Sequence, residues 1–217
     1  MNETLKQTMA ALEKNNIKTF YAKTAADVVP IVKTLIKKGD IISCGGSTSV
    51  KQAGIIELIE NGDYNFYDRN KTGITASERD EIYSITVNAD AYFCSSNAVT
   101  KKGELVNVDG FCNRIASIAF GPKSVIMVVS VNKIVEDIAE AVMRIKTVAA
   151  PKNCVRLGKN TYCAKMGQCV SIKNGQRTEM TAGCDSEDRI CRTYLISGKQ
   201  GIKDRIKVIF CDEPLGY

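Results

Sequence analysis

The sequence predicts an α/β fold with a mainly parallel sheet and helices on both faces, and three observations predict it. Short apolar runs bounded by glycine or charge, such as Ile41–Cys44 and Val125–Val129, suit strands buried on both faces. Helical patterns of about 10–15 residues separate these runs, the spacing of right-handed crossovers between parallel strands. The 217 residues are 44% hydrophobic and 25% charged, which supports one ordinary core and excludes disordered or collagen-like chains.

The elements follow in order. Residues 3–14 place Leu5, Met9 and Leu12 on one helical face, with Asn2 as N-cap and Asn15-Asn16 as the stop. Ile17–Tyr21 reads as a strand. Val28, Ile31, Val32, Leu35 and Ile36 then recur at helical spacing, and Pro30 fits the first turn if Asp27 is the cap. Asp40–Cys44 is a buried strand whose glycine turn leads into a helix over Val50–Glu60. Tyr64–Tyr67 is the next strand, and Thr75-Ala76-Ser77-Glu78 is a capping-box pattern that opens a helix to Val87. Ala91–Cys94 is extended, Lys101–Glu104 is a turn between extended pieces, and Asn113–Phe120 is helical until Gly121-Pro122 stops it. Val125–Val129 is the clearest strand, followed by a helix over Val135–Ala149 that Pro151 ends. Residues 154–200 show no sustained period, and Ile206–Phe210 is the last strand.

Charge and thiols change near Pro151. Residues 1–150 hold 18 basic and 17 acidic side chains and three cysteines, whereas residues 151–217 hold 12 and 7 with six cysteines. The expected organisation is a core over residues 1–150 and a basic, Cys-rich segment over 151–217 that completes the same domain. There is no histidine, which excludes imidazole bases and His-ligated metals. No stretch approaches the ~18 apolar residues of a membrane span, and the N-terminus reads as an amphipathic helix, so a cytoplasmic address with reduced thiols is expected. Nucleic-acid binding is not expected, because no basic run is interleaved with aromatics.

Three constellations could carry chemistry. Gly45, Gly46, Ser47, Thr48 and Ser49 form a turn whose backbone N–H groups and hydroxyls suit a phosphate or carboxylate; a tight turn with an N-cap serine explains it equally simply. The run from Asn97 through Asn107, Asp109, Gly110, Asn113 and Arg114 pairs an acid with a base near a strand pair, either as a cleft or as a structural ion pair. Asn132-Lys133 follows the best strand, and Lys133 could contact an anion or be merely solvated. Ligands of parallel sheets sit beyond the carboxyl ends of strands, so the loops at Gly45, Asn97 and Asn132 should share one side. Last, Cys163, Cys169, Cys184 and Cys191 are four thiols, enough for zinc or an iron–sulfur cluster, although their spacing matches no ribbon or ferredoxin; free reduced thiols and a redox disulfide remain open.

The segment SSNAVTKKGELVNVDGFCNRIASIAFGPKSVIMVVSVNKIVEDIAEAVMRIKTVAAPKN resembles the core of the LUD, or lactate-utilisation, domain, and IISCGGSTSV resembles that family's upstream turn. Cys163, Cys169, Cys184, Ile190-Cys191 and Glu213-Pro214-Leu215-Gly216-Tyr217 resemble a small stand-alone bacterial branch; Ser171–Gly183 departs from it as an insertion. The resemblance implies the fold superfamily of ribose-5-phosphate isomerase and the CoA transferases. It also implies a place in lactate or hydroxy-acid utilisation, alongside redox subunits that carry iron–sulfur clusters, with a small anionic metabolite as ligand. By that likeness Asp109, Arg114 and Lys133 are the catalytic candidates. Gly45, Gly46, Ser47, Thr48, Ser49, Asn97, Asn107, Gly110, Asn113 and Asn132 are the binding candidates. Alternatives are a phosphosugar isomerase using Asp109, an acyl or CoA transferase using Glu104, and an electron-transfer protein built on the cysteines.

Overall fold

The computed structural model describes residues 1–217. Helix α1 (Glu3–Lys14) is capped by Asn2, whose side chain accepts from Leu5 N at 2.8 Å, and it buries Leu5, Thr8 and Leu12 at helical spacing. Strand β1 (Lys18–Ala22) leads through a turn to α2 (Val28–Lys33), where Pro30 is accommodated near the helix start. Strand β2 (Ile41–Cys44) ends at the glycine turn. The helix expected over residues 50–60 is two pieces, α3 (Thr48–Gln52) and α4 (Ile55–Glu60), because Gly54 adopts φ +71° and breaks the ladder between them. Strand β3 (Asn65–Tyr67) and helix α5 (Ala76–Val87) follow, the latter opened by a reciprocal Thr75–Glu78 capping box.

Strands β4 (Ala91–Cys94), β5 (Ala98–Thr100) and β6 (Leu105–Asp109) precede α6 (Asn113–Ala119) and β7 (Val125–Ser130). Val135 belongs to a short strand, β8 (Ile134–Val135), not to the next helix. That helix starts one residue after its cap, Asp137, as α7 (Ile138–Arg144), and it does not stop at Pro151. It widens into a π turn over Ile145–Ala149 and continues as α8 (Ala150–Arg156), with Pro151 in the first turn. A proline needs a place in the ladder where its missing N–H and its ring cause no conflict, and the wide turn ahead of it supplies that place. Helices α9 (Tyr162–Met166) and α10 (Val170–Lys173), then strands β9 (Thr193–Ser197) and β10 (Ile206–Cys211), complete the chain.

Six strands form one fully parallel sheet in the order β1-β10-β7-β4-β2-β3. Alternate residues of its strands feed two separate cores. Phe93, Ile126 and Val128 join Val28, Val32 and Ile55 on one face, while Tyr92, Val125 and Met127 join Leu5, Leu12 and Phe210 on the other. Both faces are therefore covered, as the continuous apolar runs require. A second sheet, β8-β5-β6-β9, packs through Ala98, Val106 and Val108 against Ala141, Ile145 and Ala150 of the long helix. Its outer strand β9 pairs antiparallel with β6, and β10 is inserted between β1 and β7, so residues beyond 150 contribute to both sheets. No helix is long and apolar enough to cross a membrane.

Candidate functional site

The loops after β2, β4 and β7 meet on one side of the large sheet around a cleft of about 440 Å³, a volume suited to a small ligand. Gly46, Ser47, Thr48, Ser49, Asn97, Asp109, Gly110, Asn113, Arg114 and Lys133 all line it. Gly45, Asn107 and Asn132 do not. Gly45 lies behind the rim, where an added Cβ would meet Tyr92 Oη at 3.0 Å. Asn107 is fully buried, and Asn132 turns its carbonyl to Arg144 Nε at 3.3 Å.

Arg114 is a structural hub. Its Nε bonds Asp109 Oδ1 at 3.2 Å, its Nη1 bonds Ser95 O and Asn107 Oδ1, and its Nη2 bonds Asn97 Oδ1 and Val108 O, all five within 3.2 Å. A guanidinium has five N–H donors, so none is left for a ligand. Asp109 is engaged too: its Oδ2 accepts from the backbone N–H groups of Arg114 and Ile115 at 3.1 and 3.0 Å, which caps α6. The acid and base expected to act on a substrate line the cleft and fix its floor, joining the β4, β6 and α6 termini. Glu104 sits in the β5–β6 turn, accepting from Thr100 Oγ1 at 2.6 Å, and does not line the cleft. The backbone at Gly110 runs so close to Ile190 that a Cβ would lie 2.9 Å from its Cα, which pins the 187–190 segment to the cleft wall.

The charge of the cleft comes largely from residues the sequence reading left out. Seven basic side chains line it against three acidic ones. Arg69, just past β3, and Arg156, at the end of α8, flank Gly46, their Nη2 atoms 3.9 and 3.8 Å from where a Cβ would stand. Neither pairs with a carboxylate. Arg156 is held by Asn153 Oδ1 and Tyr217 Oη and reaches Gly46 O at 3.3 Å. Arg69 lies over the Tyr83 ring at 5.9 Å, and its buried Nε has no partner. The strand-end rule that singled out the loop after β2 applies equally to Asp68-Arg69-Asn70 after β3.

Lys133, in the turn after β7, is 2% exposed, and its Nζ donates to Ser49 Oγ at 2.9 Å and Ser95 Oγ at 3.0 Å. Burial first, then the Arg144 and Arg114 charges, lower its pKa to about 7. The C-terminal residues pass over this corner. Leu215 is buried, Ser49 Oγ donates to Leu215 O at 3.2 Å, and Gly216 N donates to Gln52 Oε1 at 2.6 Å. Gly216 has φ +62°, and a Cβ there would lie 2.4 Å from Ser49 Oγ. Both serines of the turn are therefore engaged within the protein: Ser47 caps α3 through Val50 N, and Ser49 joins Lys133 to the tail.

The cysteines form a separate feature. Cys163, Cys169, Cys184 and Cys191 line one small, largely apolar pocket of about 10 Å³ together with Cys154. All nine cysteines are free thiols, and no three Cys, Asp or Glu side chains are disposed to hold a metal ion. The four sulfurs named from the sequence are thus brought to one pocket but not to one coordination sphere. Three of the four are engaged elsewhere: Arg189 Nε donates to Cys191 at 3.3 Å, Ser171 Oγ to Cys169 at 3.3 Å, and Cys163 touches Cys154 at 3.7 Å. Cys154, which the sequence reading omitted from the group, shifts the Cys163 thiol below its ordinary range by hydrogen bonding.

The LUD domain profile matches residues 5–211. No curated protein matches the chain. The crystal structure of a DUF162 family protein from Deinococcus radiodurans is similar over 96% of each chain, with a TM-score of 0.53 at 16% identity, a likeness that speaks for the fold alone.

Proposed function

The chain belongs to the LUD domain family, and from that premise we propose that it binds a small anionic metabolite beside Gly46 as a subunit or accessory of lactate or related hydroxy-acid utilisation. One observation carries the anion: two guanidinium groups, Arg69 and Arg156, come within 4 Å of one point beside Gly46, and neither is paired with a carboxylate. Arginine binds carboxylate and phosphate through its planar fork, and a charge in a cleft without an internal partner is the natural complement of an anionic ligand. The family supplies the link to hydroxy acids and to redox partners. Helix α3 is only five residues long, so the arginines, not a helix terminus, supply the attraction.

Isothermal titration calorimetry with lactate, pyruvate and inorganic phosphate tests this reading. Saturable binding of at least one is expected, weakened ~10-fold or more by Arg156→Ala. Absence of binding by all three, or binding indifferent to both Arg156→Ala and Arg69→Ala, removes the proposal.

A further inference from the structure

Lys133 is placed as few lysines are. Its Nζ enters no ion pair, and its partners are two hydroxyls, Ser49 Oγ and Ser95 Oγ. Each of those serines directs its own proton to a carbonyl, Ser49 to Leu215 O at 3.2 Å and Ser95 to Ser96 O at 3.4 Å. Both therefore face Nζ as acceptors. An ammonium has three protons and would leave one unsatisfied in a side chain that is 2% exposed. A neutral amine has two, matches both acceptors, and keeps its lone pair free. Lys133, Ser49 and Ser95 all line the cleft, with Gly46 three residues before Ser49 on the same loop. The guanidinium groups of Arg114 and Arg144 add to the disadvantage of a further positive charge.

We propose that Lys133 is a nucleophile that forms an imine with a small 2-oxo acid. This rests on the anion reading above, since the carboxylate of the acid occupies the Arg69–Arg156 side while its carbonyl reaches Nζ. The lone pair attacks the carbonyl carbon as the π pair moves to oxygen. The two amine protons leave with that oxygen as water, and a C=N bond replaces the C=O bond. The step needs no oxidant, reductant or metal. A lysine rendered uncharged by burial and neighbouring cations is the recognised condition for such chemistry.

The test is reductive trapping on the full chain: incubation with pyruvate and cyanoborohydride, intact mass, then peptide mapping. The expected product is a mass gain equal to pyruvate less one oxygen atom, with occupancy at Lys133 ~10-fold or more above that of any exposed lysine. Lactate, which lacks the carbonyl, should give none, and Lys133→Arg should lose the product. If calorimetry shows pyruvate binding while the label falls only on exposed lysines, the imine is overturned and the anion site stands. That result is read on the wild-type chain and does not depend on how a variant folds. If none of lactate, pyruvate and phosphate binds, the anion site fails and takes the imine with it.

Discussion

The cleft and the thiol pocket share a wall, Arg189-Ile190, yet they treat polar chemistry in opposite ways. The cleft has room, about 440 Å³, and leaves Arg69, Arg156 and Lys133 without carboxylate partners. The thiol pocket has about 10 Å³, space for about one water, and all its sulfurs but that of Cys184 touch one another, hydroxyls or Arg189. A cluster of reactive residue types is thus a poor guide to a site unless space and unmet valence come with it. Only the cleft combines the two.

The largest test of that contrast is Arg114→Ala. It removes five hydrogen bonds and leaves the Asp109 carboxylate without its cation, so a loss of ~3–5 kcal/mol is expected by chemical denaturation. Arg114→Lys should recover little, because one ammonium cannot span those acceptors. A small loss would mean that the cleft floor is not held by this hub.

Next comes the pH dependence of Lys133. Its pKa falls from 10.5 to about 7 in the fold, so between these values the unfolded chain holds a proton that the folded chain does not. Stability contributed at this position therefore rises with pH across that window, and the penalty is complete below it. Relative to Lys133→Met, the wild type should gain on the order of 3 kcal/mol between neutral pH and the upper end. Parallel stability curves for the two proteins would show Lys133 to be an ordinary charged lysine.

Gly216→Ala should cost ~1–3 kcal/mol, since the new Cβ meets Ser49 Oγ at 2.4 Å on a residue with φ +62°. Pulling the tail from this corner should also weaken anion binding; unchanged melting and binding would show that the tail is not part of the cleft. The smallest effect belongs to the thiol pocket. Cys184→Ser should change stability by less than ~0.5 kcal/mol, because Cys184 is only partly buried and its sulfur has no hydrogen-bond partner. A larger loss accompanied by release of zinc or iron would place a metal at the four sulfurs and erase the distinction drawn between the two regions.

Much of this was legible in the sequence, for physical reasons that also mark its limits. Strands buried on both faces announce themselves as continuous apolar runs, and the Thr75–Glu78 box and Asn2 cap are local devices readable from residue type alone. Strand β9 was missed because Thr-Tyr-Leu-Ile lies amid charge and cysteine, and its partner β6 is about 90 residues away, a distance no local pattern reports. The Pro151 stop failed because a π turn upstream relieves the conflict that a proline normally creates. At the site, ten of the expected residues converge, but their roles divide in ways that composition cannot show. Asp109 and Arg114 look reactive in a string of letters, and only the structure shows how many hydrogen bonds they make within the protein. Arg69 and Arg156 sit in unremarkable contexts and gain meaning from a glycine more than 20 and 100 residues away, respectively.

The placement of β10 has a consequence for how the protein is made. Phe20 and Ile209 sit side by side, as do Ile209 and Val128, so the strand that joins β1 to the rest of the large sheet leaves the ribosome after the other five. Until residue 211 emerges, the facing edges of β1 and β7 have no neighbour, and open strand edges such as the valine-rich one of β7 are what chaperones recognise and aggregates grow from. Nascent chains stalled short of β10 should therefore remain protease-sensitive throughout, including the loops that later frame the cleft.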